Sequence, residues 1–311
     1  MSDKLRELID NDLVHLVVYG EKIRTQHLIV RYPPVLQFKQ KFLPQITADR
    51  VSVIINQPPM SDYGSHPVVR YDLVVASRNL QAISTAPAIW YPIGPLVRES
   101  IEQYHAAQLS AIQLSEKHWF NIIDLDEWYR GDHIPNTDCP VIGRHSRDHV
   151  HKWPKSAEQL LQVYPDSSQS KVKVLGGADV VTELLGYKPQ HWDVFGFGSM
   201  DVAEFLKTLD VFVYYAHEDW VESFGRVILE AMATGVPVIL PVVFQPLFAD
   251  SALYAEPAEV ATVVQALVQD LDYYRQRSEL ARRFVTENFS YQAHITRLKI
   301  APATQARPLE S

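Results

Sequence analysis

The chain has 311 residues, 47% of them hydrophobic and 21% charged, a composition typical of a soluble globular protein rather than a disordered one. At about 100–200 residues per domain, this length predicts two domains. Lys and Arg number 29 against 37 Asp and Glu, so the net charge is −8 and gives no reason to expect a nucleic-acid partner.

The N-terminal segment and the cysteine content indicate the cellular compartment. The first residues, MSDKLRELIDNDL, are charged throughout and lack the apolar core of a signal peptide. Cys139 is the only cysteine, so no internal disulfide can form, which fits a reducing compartment. The most apolar stretch, Val227 to Phe244, contains Glu230 and two prolines, which predicts helix, turn and strand rather than a membrane span. We therefore expect a cytoplasmic protein.

Short β-branched runs alternate with amphipathic stretches along the chain, which predicts parallel sheets with helices on both faces. The predicted strands of the first half are Val14–Tyr19, Leu28–Arg31, Val51–Ile55, Leu73–Ala76 and Ala88–Tyr91. Those of the second half are Val141–Gly143, Lys171–Leu175, Trp192–Phe195, Val211–Tyr214 and Val236–Leu240. Predicted helices include Val97–Leu114, Ala157–Val163, Val202–Leu209 and Phe224–Ala233. Sheets of this kind bind ligands at the carboxyl ends of their strands.

The domain boundary is expected between Pro92 and Pro140, a region with a Pro-Ile-Gly-Pro turn and a polar stretch. It divides the chain into domains 1–135 and 136–298. The Pro/Ala-rich tail, residues 299–311, is expected to be disordered.

The most informative segment is ESFGRVILEAMATGVPV, which starts at Glu222. Ser223 is a predicted N-cap, and Gly235 followed by Pro237 ends the helix. Glu222 then precedes the helix and Glu230 lies about two turns into it, roughly 12 Å away at 1.5 Å per residue. The free N–H groups between them favour an anion. The spacing alone equally fits two solvated glutamates on an exposed helix.

A second segment, VIGRHSRDHVHKWP, places long cationic side chains directly after a strand. Arg144, Arg147 and Lys152 could bind phosphate there, although an exposed basic loop has the same pattern. The segment also contains Asp148 and three histidines, His145, His149 and His151. Their spacing is not diagnostic of zinc, and we expect no metal.

These segments carry a resemblance to a known family. Glu, seven residues, Glu, with Phe-Gly inside and Glu-Ala-Met-Ala-x-Gly-x-Pro-Val following, resembles the donor-site signature of the family-4 retaining glycosyltransferases. The resemblance covers about residues 139–298. It implies the α/β fold called GT-B, two Rossmann-like parallel-sheet domains facing across a cleft. Residues 1–135 would then form an acceptor-side domain that is reduced or truncated, because no Gly pair occurs before Gly176.

The resemblance also implies roles for individual residues. Glu222 would contact the donor sugar, Glu230 the ribose hydroxyls, and the amides around Phe224 and Gly225 the phosphates. The basic segment is similar to the Gly-Arg…Lys element whose cations hold the diphosphate. The gap from Arg144 to Lys152 is longer than usual, so Arg147 is a second candidate. The implied catalytic set is Glu222, Arg144 and Lys152. The implied donor-binding set is Glu230, Phe224, Gly225, Arg226, Arg147, Gly176, Gly177 and Phe197.

The function implied is transfer of a sugar, with retention, from a nucleotide-diphosphate sugar to a glycan or lipid-linked acceptor in polysaccharide biosynthesis. No metal or cofactor is expected, and peripheral membrane contact is left open. A nucleotide-sugar-binding module without turnover and a nucleotide-sugar epimerase remain alternatives. The Gly196-Phe-Gly198 triplet does not complete the dinucleotide-binding fingerprint, because Asp201 stands where that fingerprint needs a third glycine. Candidates by type for a catalytic histidine are His15, His27 and His66.

Overall fold

The computed structural model describes residues 3–18, 20–38, 45–64 and 67–300. The first half forms a four-stranded parallel sheet in the order β1-β2-β3-β4. Its strands are β1 (Lys22–Val30), β2 (Gln45–Ile55), β3 (Ala88–Pro92) and β4 (Gln113–Leu114). The helices of this half are α1 (Asp3–Asp10), α2 (Leu73–Gln81) and α3 (Pro95–Tyr104).

The second half forms a six-stranded parallel sheet in the order β10-β9-β8-β5-β6-β7. Its strands are β5 (Val141–His145), β6 (Lys171–Leu175), β7 (Trp192–Phe195), β8 (Val211–Val213), β9 (Val238–Leu240) and β10 (Leu253–Tyr254). The strand order reverses between β5 and β8, and in such sheets the ligand crevice lies at this switch point.

Eight helices of the described chain follow β5. They are α4 (Ala157–Val163), α5 (Asp179–Leu185), α6 (Val202–Lys207), α7 (Arg226–Thr234), α8 (Gln245–Phe248), α9 (Val260–Gln269), α10 (Leu271–Phe289) and α11 (Tyr291–Ile300). Residues 299–300 of the tail thus belong to a helix, and residues 301–311 lie outside the described residues. Among the described residues, no helix combines the length and apolar character needed to cross a membrane.

Several predicted elements are confirmed, and three in the first half are wrong. The stretch Leu73–Ala76 is the first turn of α2, because the Asp72 side chain caps the helix by accepting from the Val75 amide at 2.9 Å. Residues 14–18 form no strand, and Tyr19 lies outside the described residues. The helix predicted for Val97–Leu114 ends at Tyr104.

The chain beyond this helix forms a 3-10 turn at residues 106–111 and then β4, in which Leu114 pairs with Trp90. The sequence does not indicate the short strand β4, because its apolar residues continue the helical spacing of α3.

The hydrophobic core continues from one half into the other. One buried cluster joins residues of the first sheet, such as Val53 and Trp90, to residues of the second half, such as Leu229 and Phe289. A second cluster lies wholly within residues 142–274. The Ile123 amide donates to the Phe289 carbonyl at 3.0 Å, so the end of α10 is fixed against the segment that connects the two sheets.

Candidate functional site

Arg144 lies on β5 with none of its surface exposed. Its guanidinium carbon is 3.8 Å from the ring centroid of Trp153, and Nη2 donates to Ser146 Oγ at 2.9 Å and to the Lys152 carbonyl at 2.5 Å. Rings of Tyr164 and Tyr214 lie at 5.4 and 5.3 Å. The position of Arg144 therefore disagrees with its predicted phosphate contact, because β5 directs the side chain inward to hold the following loop.

Arg147 is exposed at the tip of that loop, and its guanidinium carbon lies 5.8 Å from the Phe197 ring centroid. The neighbouring Asp148 fixes the loop. Its Oδ2 accepts from the Asp179 amide at the start of α5, at 2.5 Å, and its Oδ1 accepts from Trp153 Nε1 at 2.9 Å. Arg147 therefore lies on a loop that Asp148 hydrogen-bonds to Trp153 and to α5, and its charged group is exposed.

Gly176 and Gly177 follow β6 and have φ values of 123° and 99°, in the left-handed region. A Cβ on Gly176 would lie 1.8 Å from the Ser146 carbonyl oxygen. A Cβ on Gly177 would lie 3.2 Å from Asp148 Cβ. The resemblance implies that this glycine pair binds the donor, but the space beside it is filled by the loop that carries Arg147.

Glu222 is held by two side chains at one oxygen. Lys152 Nζ lies 2.5 Å from Oε2, and the Tyr214 hydroxyl donates to the same oxygen at 2.8 Å. Both members of the ion pair are largely covered, with 24% of the Lys152 and 15% of the Glu222 side chain exposed. Burial, and next the charge of Glu222, raises the pKa of Tyr214 well above its usual value, so this hydroxyl stays a donor.

Trp220 brings the first half of the chain to this ion pair. Its ring stacks on His151 at 4.8 Å, and Lys152 Nζ lies 5.4 Å from its centroid. Arg70, from the first half, places its guanidinium 5.2 Å from the same ring and donates from Nη1 to Gln57 at 2.6 Å. Sequence reasoning missed Arg70, because nothing in the loop before α2 marks it as close to the second half.

Glu230 lies on α7 with 8% of its surface exposed. Arg226 Nε donates to its Oε1 at 2.9 Å. His145 Nε2 is 3.3 Å from its Oε2, although the two are not aligned for a hydrogen bond. Burial raises the pKa of Glu230, and Arg226 opposes this effect. Burial, aided by the charge of Arg144, lowers the pKa of His145 to about 4, so this imidazole is neutral at pH 7.

Helix α7 begins at Arg226, later than predicted, because Gly225 caps it in the left-handed region with φ 73°. Ser223 is therefore not the N-cap, and the 12 Å helical estimate between the two glutamates does not apply. The Phe224 side chain is buried, so only its backbone is left to contact a ligand. Its ring packs among Phe120, Phe248 and Phe289.

A cavity of 470 Å³ opens beside Glu222, between α3 and the loop 215–222. It is lined by neither Arg147 nor Glu230, so it extends the site beyond the predicted donor residues.

Three histidines lie close together in this region. The rings of His149 and His217 lie 5.1 and 5.8 Å from that of His151. Within the described ranges, no group of three or more His, Cys, Asp or Glu is placed to hold a metal ion.

The histidines of the first half were candidates by type. His15 contacts Glu21 at 3.1 Å, and His27 lies on β1 in contact with Ser52 and Arg50. His66 lies outside the described residues.

Residues 151–245 match the family model described as glycosyl transferases group 1. This segment contains Lys152, Glu222 and Glu230, so the family match falls on the site described above. The chain is a glycosyltransferase.

The fold is shared with solved glycosyltransferases of low sequence identity. Sucrose-phosphate synthase from Thermosynechococcus elongatus aligns with a TM-score of 0.60 and 16% identity, over 88% of this chain and 72% of that chain. HepE from Anabaena, solved with UDP and glucose, aligns at 0.54 and 16%, over 89% and 98%. A trehalose-6-phosphate synthase studied for transfer with retention aligns at 0.56 and 13%, over 98% and 78%. No curated protein sequence matches the chain. The predicted GT-B fold is confirmed.

Proposed function

We propose that this glycosyltransferase moves a sugar from a nucleoside-diphosphate sugar to a glycan acceptor with retained anomeric configuration. The observation that carries the proposal is the covered ion pair of Lys152 with Glu222 at the switch point of the six-stranded sheet, where Lys152 follows β5 on the same loop as the exposed Arg147. HepE, which shares the fold, is solved with UDP and glucose, a nucleoside diphosphate and a sugar of the classes proposed here.

The proposed donor site assigns one part of the donor to each group. Arg147, Lys152 and the free amides at the start of α7 bind the diphosphate. The buried Glu230 accepts hydrogen bonds from the ribose hydroxyls, and Glu222 binds the sugar. We divide the chain accordingly into an acceptor-side domain, residues 1–135, and a donor-binding domain, residues 136–298.

The diphosphate is proposed to bind without a divalent metal, because Arg147 and Lys152 supply the opposing charge. The chain contains Asp-x-Asp triplets at residues 10–12 and 124–126. Asp124 of the second triplet contacts Tyr291 on α11 at 3.4 Å and caps a 3-10 turn, so this carboxylate serves the packing of the connecting segment.

Retention is proposed to proceed without a covalent glycosyl-enzyme. In a double displacement two carboxyl groups lie about 5–5.5 Å apart and one is the nucleophile. Here Glu222 is held by Lys152 and Tyr214, whereas Glu230 is held on α7 by Arg226. The bond from the anomeric carbon to the phosphate oxygen breaks as the acceptor hydroxyl forms its bond on the same face. The hydroxyl proton passes to the departing phosphate, whose growing charge the two cations stabilise.

The decisive experiment is the proton NMR spectrum of the product formed with a cellular acceptor extract, together with the intact mass of enzyme held with donor alone. We expect a product with the donor's anomeric configuration and an unchanged protein mass. An inverted product, or a stable mass increase of one sugar, would contradict the mechanism. Donor binding without release of diphosphate would instead identify a binding module. A glycan product would place the enzyme in polysaccharide biosynthesis, and a lipid-linked product would add peripheral membrane contact.

A further inference from the structure

The cavity beside Glu222 has walls from both halves of the chain. Helix α3 of the first half contributes Leu96 and Tyr104, and the second half contributes Trp220 and Phe244. A concave site with apolar and aromatic walls and a few polar groups is the usual form of a small-molecule site. Its volume of 470 Å³ is in the range of such sites.

The charge of the cavity wall is one-sided. Its ionised side chains are four carboxylates, Glu99, Glu218, Glu222 and Glu256. Among the described residues, no Lys or Arg lines it, and His217 is its one basic side chain. Lys152 and Lys155 contact Glu222 and Glu218 from outside the wall, at 2.5 and 3.3 Å. Glu99 and Glu256 line the cavity as exposed side chains and have no such lysine partner in the described contacts; the Glu256 carboxylate accepts from the Glu259 backbone amide in a capping box.

We propose that this cavity binds the acceptor saccharide and that its carboxylates select a neutral or amino-bearing sugar over one that carries a phosphate or a carboxylate. The inference rests on the proposed function, because Glu222 marks the sugar end of the donor. An anionic acceptor would face like charges on the cavity wall, which disfavours it, whereas hydroxyl and ammonium groups donate hydrogen bonds to carboxylates. The site thus separates a cationic part for the diphosphate from an acidic part for the acceptor.

The test uses the full chain, saturated with whichever of UDP, GDP and ADP binds most tightly, so that the cations of the donor site are occupied. Methyl α-D-glucopyranoside, glucosamine and glucose 6-phosphate are then titrated as neutral, cationic and anionic probes, with binding followed by saturation-transfer NMR. We expect the first two to bind and the phosphate to bind at least about tenfold more weakly.

A charge-reversed variant tests the cause. The double variant Glu99→Lys/Glu256→Lys should bind glucose 6-phosphate at least about tenfold more tightly than the unaltered chain does. The matched control is Glu279→Lys/Glu287→Lys, which makes the same change at exposed positions of α10 outside the cavity. It should leave the preference unchanged.

Three results would overturn the proposal. The first is that glucose 6-phosphate binds as well as the neutral sugar, and the second is that the cavity variant behaves like its control. The third is that no probe binds although the nucleoside diphosphate does. This result would contradict the acceptor site and would leave the proposed donor site unaffected. Failure of all three nucleoside diphosphates to bind would instead remove the proposed function, and this inference with it.

Discussion

Arg144 and Arg147 are three residues apart, yet β5 and its loop give them opposite environments. Arg144 is buried among aromatic rings, whereas Arg147 is exposed. We expect Arg147→Ala to weaken nucleoside-diphosphate binding about tenfold to a hundredfold, the effect of one charge-assisted hydrogen bond of about 1.5–3 kcal/mol. The melting temperature of the Arg147→Ala variant should equal that of the unaltered chain.

Arg144→Ala should instead lower the free energy of unfolding by at least about 2 kcal/mol, because it breaks a buried hydrogen-bond network. Calorimetric binding and urea unfolding separate the two effects. If Arg144→Ala keeps full stability but loses nucleotide binding, the assignment is reversed.

His145 makes stability depend on pH in a definite direction. Its folded-state pKa of about 4 lies below the ordinary 6.5, so the folded protein favours the neutral ring. The stability that this provides is complete above pH 6.5 and is lost as the pH falls toward 4. Between pH 7 and pH 4.5, the free energy of unfolding should fall by about 2–3 kcal/mol less in His145→Phe than in the unaltered chain.

Urea unfolding at the two pH values measures this difference. Glu230 acts in the opposite direction, because its pKa is raised by burial and its contribution is lost as the pH rises. Because Glu230 contacts His145, its contribution is removed by making the same comparison in a Glu230→Gln background. Equal pH dependence of the two proteins would contradict a buried neutral His145.

At the scale of elements, the glycine after β6 and the glycine after α5 have similar backbone conformations but different surroundings. Gly176 and Gly186 both have positive φ, 123° and 76°. A Cβ on Gly176 would meet the Ser146 carbonyl oxygen at 1.8 Å, whereas a Cβ on Gly186 would meet nothing within 4 Å. We expect Gly186→Ala to cost only about 1 kcal/mol.

Gly176→Ala should lower the free energy of unfolding by at least about 3 kcal/mol more than Gly186→Ala does. It should also displace the loop that carries Arg147, because a backbone oxygen cannot move aside as a flexible side chain can. Thermal unfolding and nucleotide titration of both variants test this. A similar loss for the two variants would mean that backbone conformation, not the contact, limits this position.

The elements of the six-stranded sheet could be predicted from sequence better than those of the first half. Strands β6 and β7 have the predicted bounds, because short β-branched runs between polar turns are distinctive. The start of α2 was misjudged because Leu73–Ala76 is as β-branched as a strand, and the Asp72 cap decides in favour of helix. The start of α7 was misjudged because Ser223 is a good cap by type, whereas the left-handed Gly225 ends the preceding loop.

The site itself was predictable only in part, for the same physical reason. Spacing and residue type marked Glu222, Glu230 and Lys152, since these lie in one segment of the chain or at a strand end. The contact of Arg70 with Trp220 joins residues far apart in sequence, and the inward direction of Arg144 depends on which face of β5 packs against Trp153. Neither is determined by local pattern.

At the scale of the whole molecule, the second half has a core of its own. The cluster within residues 142–274 and all six strands of the second sheet come from the second half alone. We expect an isolated fragment of residues 136–311 to unfold cooperatively and to bind nucleoside diphosphate. Helix α11 should lose protection in hydrogen exchange, because His294 packs on Trp119 of the missing part. A fragment without a cooperative transition would show that the shared core is indispensable.

The central claim is that Glu222 and Glu230 divide a nucleoside-diphosphate sugar between them, with cations rather than a metal on the phosphates. Calorimetric titration of UDP, GDP and ADP in the presence of EDTA tests it most directly, on the unaltered chain and on Glu222→Gln and Glu230→Gln. We expect at least one diphosphate to bind the unaltered chain in EDTA and to bind Glu230→Gln about tenfold more weakly or worse, while Glu222→Gln binds it almost normally. Binding that requires Mn²⁺, or an equal loss of affinity in the two variants, would contradict the claim.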